Sequence, residues 1–315
     1  MTENEVLVSV IVLTYNHEKY ICQALDSILM QKVNFKFEIL IGDDASTDGT
    51  SNIVRQYQEK YPNIIKAYLR EDNLGAARNA YELLMVSTGK YLAFCEGDDY
   101  WTDPDKLSRQ VCFLEENPHF IGCSHRCEIV DGNGMKKEDQ RLSWVREREC
   151  FTLEDFRGIY LPGQTATIVK CNLFRSKEED YSFLYEINPN ISDRTTTLLY
   201  LSKGPFGFIP KTMSAYRRVE NTGITNQMFD NNPNRIRDEL AYTDRLVLLA
   251  EALATKKEIF ADYYKQLYAW AVWQYFKYPT RDNRVVIAET AARIGRGSIH
   301  PIAFVHGMLQ KLGKL

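Results

Sequence analysis

At 315 residues, 44% of them hydrophobic, the chain is long enough for one large α/β domain with an appendage or for two domains. Its formal net charge of -3 excludes both the basic field of a nucleic-acid binder and the acidic tract of a disordered chain. Its 7 cysteines, odd in number and without framework spacing, exclude a disulfide scaffold and read as reduced thiols of a cytosolic protein.

The start, MTENEVLVSV, has no basic n-region, and no apolar run approaches ~20 residues. The expectation is therefore neither signal peptide nor spanning helix. Val8 to Leu13 reads as a buried strand leading to Thr14, Tyr15 and Asn16, and a helix with Ile21, Leu25, Ile28 and Leu29 on one face follows. Phe37 to Gly42 is the second strand. It runs into Asp43-Asp44-Ala45-Ser46, with Ser46, Thr47 and Asp48 as a cap for the helix carrying Ile53, Val54 and Tyr57. Ile64 to Leu69 is the third strand. After Asn73 a helix presents Ala76, Ala80, Leu83 and Leu84, with Arg78 and Asn79 at its head. Tyr91 to Cys95 is the fourth strand, and it leads directly into Glu96, Asp98 and Asp99. Strands alternating with helices in this way predict an α/β fold with a Rossmann-like, mostly parallel sheet flanked by helices.

Beyond this the rhythm changes. Thr102 or Asp103, before Pro104, reads as a helix cap, Phe120 to Val130 as a strand, and Asp131 to Gly134 as a turn before a charged stretch from Lys136 to Glu149. Gln164 to Lys170 reads as a strand, Ser192 to Leu201 as a helix, and Phe206 to Ile209 as a strand ending at Pro210. The polar loop Glu220 to Asn234 divides a domain at 1–220 from a helical region at 232–315.

In an open parallel sheet ligands bind beyond the carboxyl ends of the strands, where Thr14 to Asn16, Asp43 to Ser46 and Glu96 to Asp99 all fall. Converging carboxylates suit a hard divalent cation, magnesium or manganese. Neither a Gly-x-Gly-x-x-Gly after the first strand nor a Walker-type Gly-Lys-Ser/Thr is present, so such a cation would neutralise a diphosphate, with Arg78 and Asn79 adding a bidentate contact. Each cluster alone has a plainer reading, since Asp-Asp-x-Ser is also a turn and cap signal. Cys123, His125 and Cys127 alternate along one strand, but without a fourth ligand at structural-zinc spacing they read as core.

Four stretches in order, VSVIVLTYNHEKYICQALDSIL, EILIGDDASTDGT, NLGAARNAYELLMVSTGKYLAFCEGDDYWTDPDKL and SDRTTTLLYLSKGPFGFIPKTMSAYR, resemble the family 2 glycosyltransferases of GT-A fold, in the inverting, bacterial surface-polysaccharide group. The resemblance covers about two thirds of the chain. It implies a UDP-sugar donor, a glycan or lipid-linked glycan acceptor, and Mn2+ or Mg2+ as cofactor. Leu13, Thr14, Tyr15 and Asp44 would hold the nucleotide base, Asn16 and Arg78 would join the nucleotide-sugar site, Asp98 would lie at the ribose and metal, and Asp99 would be the principal metal ligand. Asp193 falls where the family places its catalytic base, and Trp101 either walls the acceptor side or packs. Glu96 stands where an aspartate is more usual, and no histidine follows Tyr216-Arg217, which leaves a third metal ligand open. A metal-dependent nucleotidyltransferase and a non-catalytic nucleotide-sugar-binding protein are the competing readings. The aromatic-rich helices after 235 read as packing, with a homodimer surface or acceptor recognition as alternatives. Ile302 to Leu315, with Lys311 and Lys314, reads first as terminal helix packing, and otherwise as the segment with which a cytoplasmic protein would touch the inner face of a membrane.

Overall fold

The computed structural model describes residues 5–138, 145, 147–219 and 234–294. These fall into two compact units, the first drawn from Met1–Asp155 and Tyr160–Glu220 and the second from Phe156–Ile159 and Asn221–Leu315.

The first unit is built on β1 (Val6–Thr14), β2 (Lys36–Asp43), β3 (Ile65–Leu69) and β4 (Tyr91–Phe94), all parallel where they pair. Between them run α1 (Ile21–Leu29), α2 (Thr50–Lys60) and α3 (Ala76–Val86). The reason is visible in β1, where nearly every residue of VLVSVIVLT is buried, as a strand covered on both faces requires. Ile21, Ala24, Leu25 and Ile28 of α1 then supply the helical stripe that covers it. The rest of the unit adds β5 (Tyr100–Trp101), α4 (Lys106–Glu116), β6 (Gly122–Val130), β7 (Cys150–Phe151), α5 (Leu153–Phe156), β8 (Val169–Cys171), α6 (Phe183–Glu186), α7 (Asp193–Leu201) and β9 (Phe206–Arg217). The sheet has nine strands in the order β3-β2-β1-β4-β8-β6-β9-β5, with β7 also on β9. Its second half is mixed: β8 is antiparallel to β4 and β6, while β6 and β9 are parallel.

Three expectations are corrected here. Gln164 to Lys170 is not one strand, because Thr165–Thr167 forms a 3-10 turn before β8 begins. Gln164 Oε1 accepts from Ala166 N at 2.8 Å and Thr167 Oγ1 donates to Gln164 O at 2.7 Å, local bonds that compete with a ladder. Nor does β9 end at Pro210. The pairing jumps from His125↔Ile209 to Arg126↔Thr212, so the proline, which has no N–H to donate, sits in a bulge and the strand resumes. Finally, α4 begins two residues beyond Pro104, where Asp103 Oδ1 instead accepts from Asp105 N at 2.9 Å to close a turn.

The second unit comprises α8 (Arg235–Ala252), a 3-10 turn at Lys257–Phe260, α9 (Ala261–Lys277) and α10 (Arg281–Ile294). Phe156 meets Phe260 edge-on at 6.0 Å. Gly158, at φ 78°, lies so close beneath Phe260 that a Cβ would come within 2.6 Å of the ring, so glycine is required there twice over. Among the described residues no helix is long and apolar enough to cross a membrane. Most of the expected boundary loop and all of Ile302 to Leu315 lie outside the described residues.

Candidate active site

The carboxyl ends of β1, β2 and β4 meet through backbone bonds. Asp44 N donates to Thr14 O at 3.0 Å and Gly97 N to Leu13 O at 2.8 Å, which brings the three polar clusters of the sequence side by side. Gly97 is demanded by that approach, since a Cβ there would stand 2.7 Å from Thr14 Oγ1. The loops after β1 and β2 are further tied together. Asn16 N donates to Ser46 Oγ at 2.9 Å, Asn16 Oδ1 accepts from Thr47 N at 2.8 Å, and His17 N donates to Thr50 Oγ1 at 2.9 Å. Asn16 at φ 57° and Ala45 at φ 61° both hold left-handed backbone, strain of the kind that gathers at functional loops. Tyr15 stands half exposed beside them.

Asp43, the last residue of β2, and Asp44 after it both face inward. Asp43 accepts from the hydroxyls of Ser46 and Ser51. Asp44 is buried, with Oδ1 accepting from Leu74 N at 2.7 Å and Oδ2 from Gly75 N at 3.0 Å. It thereby anchors the loop ahead of α3. Asp48 accepts from Thr50 N at 2.9 Å and from Glu18 N at 3.1 Å, so it caps and ties in one residue.

After β4, Asp99 is 1% exposed, and both its oxygens are engaged by protein donors: Arg217 N at 2.8 Å and Gln164 Nε2 at 2.8 Å. Burial, together with Asp98 and Glu96, holds its carboxyl well above the usual range. Asp98 is the open member, its side chain 34% exposed and its Oδ2 3.9 Å from His17 Nε2. Glu96 is pushed up to about 8 by burial and then by Asp98 and Asp193. Asp193, the first residue of α7, is thus drawn by the fold to the same acidic loop, and burial raises it while Lys170 pulls the other way. Lys170 is itself buried between the Phe94 and Tyr200 rings at 4.5 and 4.4 Å, and desolvation lowers it to about 7.

Of the other expected site residues, Arg78 stays at the surface, while Asn79 and Trp101 pack inside. Arg78 is half exposed on α3, 3.4 Å from Glu82 and 5.7 Å from the Tyr185 ring. Asn79 is internal, its Nδ2 donating to Gly42 O at 2.9 Å, so it locks α3 to β2 and offers no contact to a diphosphate. Trp101 is a core residue. Its N donates to Ser27 Oγ at 2.9 Å and Lys106 Nζ sits 4.0 Å from its ring, which leaves it no face toward an acceptor.

Among the described residues no three His, Cys, Asp or Glu side chains are placed to hold a metal between them, which holds for Cys123, His125 and Cys127 as well as for the acidic loop. The donor set instead fits magnesium or manganese in their usual manner, through one or two carboxylates with the remaining positions left to phosphate and water. Asp98 offers such an oxygen. Asp99 accepts one protein bond on each oxygen, which leaves a further lone pair on each.

Sequence reasoning missed Arg217. Its Nε donates to Asp98 O at 2.8 Å, one terminal nitrogen to Gln23 Oε1 at 2.6 Å and the other to Asp131 O at 3.2 Å, while its guanidinium lies 4.5 Å from the Tyr20 ring. It clamps the acidic loop from behind. In sequence it was visible as half of a Tyr-Arg pair, with nothing to tell that the cation turns inward.

The family model described as Glycosyl transferase family 2 matches residues 9–218. An uncharacterized protein of Mycobacterium tuberculosis is 34% identical over 220 residues, which cover 67% of this chain and 58% of that one. The chain therefore spans less than two thirds of that relative's length. The putative teichuronic acid biosynthesis glycosyltransferase TuaG of Bacillus subtilis is 32% identical over 232 residues, 72% of this chain and 85% of its own. Among solved structures, S. aureus TarS 1-349 in complex with UDP-GlcNAc matches with a TM-score of 0.66 at 18% identity, covering 98% of this chain and 86% of TarS 1-349. At that identity the likeness is one of fold.

Proposed function

The chain belongs to glycosyl transferase family 2, and from that premise we propose that it moves a sugar from a nucleotide diphosphate donor, UDP-linked, to a hydroxyl of a glycan or lipid-linked glycan in surface polysaccharide synthesis. The observation that carries this reading is the gathering of Glu96, Asp98 and Asp193 beside the Thr14 loop, at the carboxyl end of a parallel sheet. TuaG, a putative teichuronic acid biosynthesis glycosyltransferase, and TarS, in complex with UDP-GlcNAc, support the acceptor class and the donor class respectively.

In this reading Leu13, Thr14, Tyr15 and Asn16 hold the nucleotide, and Asp44 keeps their loop in place through the start of α3. Asp98 meets magnesium or manganese, and Arg78 turns its exposed guanidinium to the diphosphate. When bound, the metal neutralises the departing diphosphate. Asp193 accepts the proton of the acceptor hydroxyl as that oxygen bonds to the anomeric carbon. The bond from that carbon to the phosphate oxygen breaks, and its electron pair leaves with the nucleotide diphosphate. A single displacement inverts the anomeric centre. Burial serves the base, because a carboxyl raised above its ordinary range holds the acceptor's proton better than an exposed one does.

Calorimetric titration of UDP with and without manganese, with GDP as control, tests the donor site. The expected result is metal-dependent binding selective for UDP. Absence of binding by either nucleotide under both conditions would remove the donor assignment. Asp193→Asn should keep that binding while transfer falls by about 10²–10⁴-fold, and retained turnover would place the base elsewhere.

A further inference from the structure

The turn between α9 and α10, Tyr278-Pro279-Thr280, is a defined tip. Thr280 N donates to Tyr278 O at 2.8 Å, and Asn283 Nδ2 donates to the same carbonyl at 2.8 Å. On it Phe276 is 74% exposed, Tyr278 55% and Trp273 41%. Lys277 Nζ lies 5.4 Å from the Trp273 ring and 5.3 Å from the Tyr278 ring, so cation and rings share one side. Arg281 and Arg284, both exposed, follow in the first turn of α10. Asp282, the acid between them, is already held by Arg237 at 2.8 and 3.0 Å, which leaves the tip with a surplus of positive charge.

Aromatic rings with a polar edge settle at the headgroup boundary of a bilayer, and lysine or arginine beside them is drawn to anionic headgroups. A protein partner would favour an apolar centre with charges confined to the rim. Here Lys277 lies beside two of the rings, and Arg281 and Arg284 follow them directly in the chain. We propose that the α9–α10 tip is a docking surface for an anionic lipid bilayer, with Phe276, Tyr278 and Trp273 at headgroup depth and Lys277, Arg281 and Arg284 over the phosphates. Nothing in this inference rests on the transferase reading.

Cosedimentation of the full chain with vesicles of phosphatidylcholine alone, or of phosphatidylcholine mixed with phosphatidylglycerol, tests it. The chain should bind the mixed vesicles, not the neutral ones, and salt should weaken the binding. Each cation removed should weaken it about fivefold, so Lys277→Glu, Arg281→Glu and Arg284→Glu together should abolish it. Phe276→Ser with Tyr278→Ser should also release the chain from vesicles, with thermal unfolding unchanged. Arg281→Gln alone, a milder change, should show the about fivefold step by itself. Equal binding to both vesicle types, binding to neither, or binding unaltered by these variants would overturn the proposal. So would a dimer seen by ultracentrifugation that the same variants dissolve in the absence of any vesicle binding.

Discussion

Asp98 and Asp99 are adjacent and chemically identical, yet the structure gives them opposite tasks. Asp99 holds the loop to β9 through Arg217 N and to the 3-10 turn through Gln164, and Asp98 faces outward. Asp99→Asn would turn an amide group toward at least one of two buried donors. Losing such a bond costs about 1–3 kcal/mol, so urea unfolding should show a clear drop in stability. Asp98→Asn should leave unfolding almost unchanged and remove the manganese-dependent part of UDP binding. If Asp98→Asn binds UDP with manganese as the parent does, Asp98 is not the metal's carboxylate. The sequence could place both residues at a strand end, because a run such as Tyr91 to Phe94 is legible from its apolar residues. It could not say which would turn inward, because alternation by two holds only while the strand continues. Arg217 was hidden for the same reason: its donors reach residues far along the chain, among them Gln23, and spacing carries no trace of that.

At the scale of elements, the first half of the sheet is secured at the end away from the site. Glu38 of β2 is buried there and accepts from Ser9 Oγ of β1 at 2.7 Å, Thr88 Oγ1 ahead of β4 at 2.7 Å and Lys66 Nζ of β3 at 2.8 Å. One carboxylate thus joins four strands' worth of chain. Burial alone would raise Glu38, but the bonds from Lys66, Thr88 and Ser9 outweigh it and its carboxyl is lowered. A lowered folded pKa means stability that is present above the unfolded glutamate value of about 4.3 and lost as pH falls through the folded one. Glu38→Gln should therefore be destabilised at neutral pH by about 1–3 kcal/mol, and the gap to the parent should narrow as pH falls from the unfolded value through the folded one. Urea unfolding over a pH series measures this, and parallel curves for the two proteins would contradict it. Elements of this half, β1 to β4 and α1 to α3, were legible because two-sided burial writes continuous apolar runs and helices write their stripes. The second half was less so. A proline in a bulge and a glutamine bonding its own backbone each depend on a neighbouring strand that sequence pattern does not reveal.

For the molecule as a whole, the division of labour follows from where the polar groups lie. Every residue proposed to meet donor, metal or acceptor hydroxyl, from Leu13 to Asp193, belongs to the first unit, whose core joins β1, β2, β4, α1 and α4. The helices of the second unit pack on their own contacts: Tyr263 donates to Glu239 at 2.6 Å and Tyr264 to Asp244 at 2.7 Å, joining α9 to α8, and Arg293 of α10 lies 3.0 Å from the same Asp244. Their aromatic content was plain in the sequence, whereas which rings would be left outside was not, because three packed helices compete for the same apolar faces. A ligand that binds the folded state alone stabilises it by about 2.7 kcal/mol at a hundredfold excess over Kd, and amide exchange slows where that stabilisation acts. UDP with manganese should therefore slow exchange in the loops at 14–17, 44–48 and 96–99 and in the first turn of α3, while α8, α9 and α10 exchange as in the free protein. Protection spread equally into those three helices would mean that the donor site draws on the second unit as well. Protection confined to α8, α9 and α10 would move the site away from the acidic loop altogether.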